Sequence, residues 1–215
     1  MPFTLQKFQS LRPYLFHLTD QRNVERIRRT GQLVSATRLL GAAKRHAVIS
    51  AKRPESMPVT VDGEEVWIRD QRPLHAGNVG FQDGWTFEDL LKALNDKVFF
   101  WPGTVAGPIS YGIRHYERYA TDGPALLRLS SSRVLTANAP TTPLFCRYNS
   151  GSPRWTNGVA SPRGPRTFVP CTDAEFSAAA VVEVVLCGTV QIPGCAEVAA
   201  SFAGPWTPLF SSADC

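Results

Sequence analysis

A mixed α/β fold is what the 215-residue sequence predicts, and three observations predict it. Short apolar runs rich in β-branched or aromatic residues, such as 178–186 (AAAVVEVVL) and 98–101 (VFFW), read as strands. Segments of helical period with end signals lie between them. Sixteen glycines and seventeen prolines break the chain into many short elements around a compact centre. The length suits a single domain, 1–215, with a proper core.

The elements follow in order. Residues 15–20 (LFHLTD) predict a strand that ends in a polar turn. Asp20 can cap a helix over 21–30, and Gly31 is a good stop for it. Residues 33–40 lead into a basic amphipathic piece reaching 46, and 47–50 begin another strand. Residues 59–61 and 65–68, joined by Asp62-Gly63, predict a hairpin. Thr86 can cap a helix running to 95, with Leu90, Leu91 and Leu94 inward. The strand at 98–101 is expected to stop at Pro102-Gly103, and 109–119 is helical. Residues 125–129 and 133–135 read as short strands. A loop over about 138–170, rich in Pro, Gly, Ser, Asn and Arg, follows; loops of that length in compact domains are usually functional. Residues 173–178 predict a short helix, and the tail 194–215 reads as irregular.

Composition narrows the function. No apolar run approaches the ~20 residues of a membrane span, and the N-terminus has no secretory pattern. Five cysteines, an odd count without C-x-x-C spacing, argue against a disulfide framework or zinc site and for a reducing, cytoplasmic setting. The four histidines are scattered singly, so no metal is expected. The net charge is +5 and unevenly spread. Residues 1–60 hold eleven Lys/Arg against three acids, and 123–172 hold six arginines and no acid. Such segments suit a phosphate-bearing partner, with a solvated basic face as the plain alternative. Phosphate-loop, dinucleotide-fingerprint and serine-elbow motifs are all missing.

One carboxylate stands out. In 178–186, Glu183 shares a strand face with Val181 and Val185, while Val182, Val184 and Leu186 share the other. It either wets an edge or is held in a pocket, because burying an unpaired carboxylate is costly.

Phe16-His17-Leu18-Thr19, then Asn23, Ile27 and Gly31-Gln32-Leu33, resembles the opening of the DarT group of ADP-ribosyltransferases. Further resemblances follow in chain order. Lys52-Arg53-Pro54 stands where that group places its NAD-binding arginine. Residues 98–102 (VFFWP) resemble its Val-Pro-Phe-Tyr-Phe strand, without the inner proline and with Trp for Tyr. Val182-Glu183-Val184-Val185 resembles the strand of its catalytic glutamate. Together they span most of 14–193 and imply a sister family. The implied fold is an ADP-ribosyltransferase-like split β-sandwich with flanking helices. The implied co-substrate is NAD, without a metal. A nucleic-acid acceptor, single-stranded DNA favoured over RNA, is implied too, as is a toxin or defence role opposed by an antitoxin or ADP-ribosyl hydrolase.

Chemistry gives each residue a place in that scheme. Cleaving the nicotinamide–ribose bond passes through an oxocarbenium-like transition state. Glu183 would stabilise its charge and deprotonate the acceptor. Arg53 would fork onto the pyrophosphate, with Arg38, Arg69 and Arg72 as rivals. His17 and Thr19 would hydrogen-bond ribose and amide, and Phe100 or Trp101 would stack on nicotinamide. Asn23 would fix the strand-to-helix corner or touch the cofactor. Asp70 would orient Arg53 or Arg72. In the 138–170 loop, Arg147, Tyr148, Arg154, Trp155, Arg163 and Arg166 would meet the acceptor, arginines on phosphates and aromatics on bases. Transfer to protein or a small molecule, or a non-catalytic nucleic-acid-binding module, are the alternatives.

Overall fold

The computed structural model describes residues 3–211. Its helices are α1 (Leu5–Leu11), α2 (Val24–Thr30), α3 (Ala36–Ala42), α4 (Phe87–Asn95), α5 (Ser110–Tyr119) and α6 (Ser131–Ala137). Its strands begin with β1 (Tyr14–Asp20), β2 (Gln32–Val34), the hairpin β3 (Met57–Val61) and β4 (Glu64–Ile68), and β5 (Val79–Phe81). They continue with β6 (Lys97–Thr104), β7 (Gly107–Pro108), β8 (Pro124–Ser130), β9 (Leu144–Cys146) and β10 (Ser161–Arg163). The last are β11 (Glu183–Cys187), β12 (Thr189–Gln191), β13 (Glu197–Ala199) and β14 (Thr207–Pro208). The architecture is α+β, built on an antiparallel main sheet with two-stranded sheets beside it, one of them parallel. No helix among the described residues is long and apolar enough to cross a membrane.

The main sheet runs β14-β13-β8-β1-β6-β11-β9, with β7 appended to β6. Every pairing in it is antiparallel. Its centre is divided. β6 pairs with β1 only from Tyr14↔Gly103 to Phe16↔Trp101, and with β11 from Val184↔Phe100 to Cys187↔Lys97. Beyond Phe16, β1 stays with β8 as far as Asp20 and parts from β6. That opening is where the candidate site lies.

Period-two alternation sends β11 to two cores. Val184 and Leu186 join Phe8, Leu15, Phe100, Leu127 and Phe145, while Val185 joins Leu90, Leu91, Leu94 and Cys146. Each large apolar side chain buried this way contributes about 1.5–3 kcal/mol.

Local signals explain most elements. Gly31 closes α2 at φ 65, the left-handed region that a side chain resists. Asp62 (φ 53) and Gly63 (φ 79) make the tight turn of the β3–β4 hairpin. Thr86 and Asp89 form a reciprocal capping box on α4.

Several expectations are corrected. Asp20 caps a short 3₁₀ turn, 21–23, and α2 starts only at Val24. Residues 46–48 make a 3₁₀ turn in place of a strand. β6 runs through Pro102-Gly103, because Pro102 pairs opposite Leu15 and its carbonyl accepts from Ile109 N–H. Residues 133–135 are helical: the Ser130 hydroxyl caps α6 by accepting from Arg133 N–H. Residues 173–178 hold no α-helix. The 138–170 stretch is pinned by β9 and by β10, which pairs parallel to β5. The tail is not wholly irregular, since β13 and β14 extend the main sheet; 212–215, with Cys215, lie outside the described residues.

Candidate active site

A pocket of about 270 Å³ occupies the division between β1 and β6, near the lower end of small-molecule sites. β1 supplies His17 and Thr19, and β6 supplies Phe99 and Trp101. Arg53 and Arg69 come from either end of the β3–β4 hairpin region, and Glu183 opens β11 beside Asn149 and Ser150.

Glu183 is 4% exposed. Its carboxylate accepts from Ser150 N–H at 3.2 Å to each oxygen and from the Ser150 hydroxyl at 2.6 Å. Burial pushes its pKa up to about 7, against those hydrogen bonds and the Arg163 charge, which pull it down. The wetted-edge alternative therefore fails: the carboxylate is enclosed, held, and poised between its two protonation states. Ser150→Ala removes a bond that favours the ionised form. The Glu183 carboxyl of that variant is expected to titrate at higher pH than in wild type, as followed by NMR of the labelled side chain.

Ser150 has its own support. Arg163, 1% exposed, donates to the carbonyls of Ser150 (3.3 Å), Asn149 (2.8 Å) and Pro162 (2.7 Å) and to the Ser161 hydroxyl (2.7 Å). The expectation that Arg163 meets an acceptor is thus corrected. Its guanidinium is spent on the loop backbone, and it positions Ser150 under Glu183.

Arg53 is 6% exposed. Nη1 donates to Asn95 Oδ1 at 2.9 Å and Nε to the Arg69 carbonyl at 3.1 Å. No carboxylate lies within ion-pair distance of it among the described residues. Burial lowers its pKa to about 10, only partly countered by Asp70. Arg69 lines the same pocket, its Cζ 3.9 Å from the Tyr119 ring and its Nε buried without a partner. Of the other rivals, Arg72 is committed to Asp70 (3.0 Å) and Asp122 (2.8 Å), and Arg38 packs over Gly188. Asp70 therefore orients Arg72, not Arg53, and also accepts from Tyr119 Oη at 2.7 Å.

His17 Nδ1 lies 2.9 Å from the Phe99 carbonyl. A carbonyl only accepts, so Nδ1 carries the proton and Nε2 keeps its lone pair. Burial lowers the His17 pKa to about 4, and the imidazole is neutral. Thr19 Oγ1 accepts from Asn23 Nδ2 at 3.2 Å. Asn23 also donates to the Trp67 carbonyl (2.8 Å) and accepts from Trp67 N–H (2.9 Å). With both donors engaged, Asn23 lines the pocket as the latch between the helix corner and the hairpin.

Phe100 is corrected. It is fully buried on the core face, opposite Val184, and strand alternation leaves Phe99 as the pocket's phenylalanine. Trp101 does line the pocket, with an indole N–H that is buried and unpartnered.

A second cavity of about 490 Å³ adjoins the first, and His115 and Asn149 line both. Arg147, Tyr148 and Arg154 border it. Trp155 and Arg166 do not. Trp155 donates Nε1–H to the Gly77 carbonyl at 3.0 Å, and Arg166 pairs with Glu175 at 3.0 Å. Among the described residues, no group of three or more His, Cys, Asp or Glu converges as a metal site.

Two pocket residues, Asn95 and Ser150, lie outside the sequence expectations. Asn95 had a signal, a polar residue four positions after Leu91 on the inward face of α4. Ser150 had none to separate it from Ser152 or Ser161.

Fold and pocket together define an α+β protein with a buried carboxylate, an unpaired buried guanidinium and a neutral histidine around one cleft. The model of DUF7002, described as a family of unknown function, matches residues 13–193, and the chain belongs to that family. Neither a curated protein nor a solved structure matches it.

Proposed function

We propose that the protein is a NAD-dependent mono-ADP-ribosyltransferase that cleaves the nicotinamide–ribose bond and transfers ADP-ribose to a nucleic-acid base, DNA favoured. One observation carries the reading: Glu183, Arg53 and His17, far apart in sequence, line a single pocket at the parting of β1 and β6. A sheet divided at its centre is also what a split β-sandwich of the ADP-ribosyltransferase type requires.

NAD supplies a glycosidic bond whose cleavage develops positive charge at the ribose carbon. The residues present fit it. Arg53 and Arg69, two guanidiniums without carboxylate partners, suit the diphosphate. The free indole N–H of Trp101 suits an amide or hydroxyl oxygen. His17 Nε2 can accept from a ribose hydroxyl. Glu183, ionised, stabilises the developing charge from its enclosed position. It then takes the proton that the acceptor base loses as its new bond to the ribose carbon forms. In the cytoplasm such an enzyme would act as a toxin or defence effector, restrained by an antitoxin or an ADP-ribosyl hydrolase.

The test is incubation with NAD and single-stranded DNA or RNA. Nicotinamide release and a gain of one ADP-ribosyl mass on the oligonucleotide are expected. Labelling of protein alone sinks the acceptor, and absence of nicotinamide release sinks the transferase.

A further inference from the structure

The second cavity has two walls, and only one was legible as basic. The loop wall carries Arg147 and Arg154. The opposite wall is α5, which turns Tyr111, Arg114 and Arg118 into the same groove. All four arginines are exposed, none has a carboxylate within ion-pair distance among the described residues, and no acidic residue lines the groove. Several exposed arginines elsewhere on this surface are paired, Arg22 with Asp20, Arg28 with Glu25 and Arg166 with Glu175, while Arg45 and Arg133 have no carboxylate within ion-pair distance among the described residues. Concentrating uncompensated charge across about 490 Å³ raises the local potential and favours a polyanion.

Aromatic rings lie between the charges. The Arg147 and Arg163 guanidiniums lie 5.0 and 4.8 Å from the Tyr148 ring centre, and Tyr111 is 4.8 Å from Arg114. The groove meets the Glu183 pocket at His115 and Asn149. His115 packs there against two rings, Trp101 at 4.6 Å and Tyr119 at 5.0 Å between centroids.

We propose that the groove between α5 and the 147–163 loop is the track of a single-stranded polynucleotide. Arg114 and Arg118 on one wall and Arg147 and Arg154 on the other hold its phosphates, and Tyr111 and Tyr148 stack its bases. One nucleotide turns its base out of the track, past His115 and Asn149, towards Glu183. A single strand fits better than a duplex because its bases are free to stack and turn without the cost of unpairing. The role of the threshold rests on the reading of the Glu183 pocket as the transferase site; the binding of a strand in the groove does not.

The experiment is fluorescence anisotropy with a labelled single-stranded oligonucleotide of mixed sequence, as DNA and as RNA, against its duplex, over a salt series. The proteins are wild type, Arg114→Ala/Arg118→Ala, Arg147→Ala/Arg154→Ala, and Arg133→Ala, an exposed α6 arginine off the groove. Thermal unfolding checks that each is folded. Each groove double variant is expected to bind single strands at least ~10-fold more weakly. Each should also flatten the slope of log K against log salt by about 1.4, two phosphates' worth for single strands. Arg133→Ala should match wild type. The proposal is overturned if the groove variants bind like wild type, if Arg133→Ala weakens binding as much, if the duplex binds as tightly as the single strand, or if polyglutamate competes as well as the oligonucleotide. Groove-dependent binding with no nicotinamide released from NAD keeps the groove and removes the transferase. Nicotinamide release without groove-dependent binding does the reverse.

Discussion

Glu183→Gln is expected to cut nicotinamide release from NAD by about 10³-fold in a folded protein, the scale seen when one aimed electrostatic group is removed. The substitution keeps shape. The amide oxygen can still accept from Ser150 N–H, and the Ser150 hydroxyl can turn to accept from the amide nitrogen. What disappears is the negative charge that the proposed mechanism sets against the developing positive charge. The pH dependence gives a second readout. Activity that needs the carboxylate rises with pH through a midpoint at about 7 and levels above it.

Stability moves the opposite way. The folded carboxyl has its pKa raised from 4.5 to about 7, so the unfolded chain ionises first as pH rises. The stability that Glu183 itself contributes is therefore fully present below pH 4.5 and is lost between 4.5 and 7, while Asp20 and Asp70, whose pKa values are lowered, act in the opposite sense. Glu183→Gln escapes that loss, and wild type should lose about 3 kcal/mol relative to it over the interval. Denaturant unfolding of both proteins at each end of the range measures the difference. Equal pH dependence in the two would show that Glu183 is not the buried titrating group, and retained nicotinamide release would remove it from the chemistry.

Arg53→Ala is expected to raise KM for NAD by about 10- to 100-fold, the worth of one charge-assisted contact to phosphate. The guanidinium is buried without a carboxylate, so its cost in the free protein is recovered only when an anion arrives. Removing it relieves that cost. Asn95 Oδ1 keeps Gln71 Nε2 at 3.1 Å, so the free protein's stability should change little. The clearest measurement is ligand-induced stabilisation: ADP-ribose should raise Tm for wild type and much less for Arg53→Ala. Arg53→Lys should recover only part, having charge without the planar fork. Equal Tm shifts in wild type and Arg53→Ala would move the diphosphate away from Arg53.

How much was legible follows from range. Caps, turns and strand alternation depend on neighbours a few residues apart, so Gly31, Asp62-Gly63, Thr86 and the alternation of Val184, Val185 and Leu186 were readable. The strand, however, begins at Glu183 and not at Ala178, and Val181 packs with Val184 and Leu186 instead of sharing the Val185 face. Misreadings came where a distant partner decided. Residues 133–135 look like a strand until the Ser131 hydroxyl, donating to the Arg12 carbonyl far back in the chain, anchors the start of α6. Phe100 and Phe99 are adjacent aromatics, and only the pairing of β6 with β11 says which one faces the pocket.

For the site, the sequence by itself determined which groups were chemically unusual: a carboxylate among valines, a histidine at a strand end, and an acid-free run of arginines. Tertiary structure alone decided their use. It buried Glu183 over Ser150 and left Arg53 unpaired while committing Arg72 to Asp70. It spent Arg163 on backbone carbonyls and brought Arg114 and Arg118 of α5 to face the loop. The physical reason is the same each time. A side chain's type is local, but its solvation and its partners are set by segments far off in the chain, and these decide whether a charge is structural or free to act.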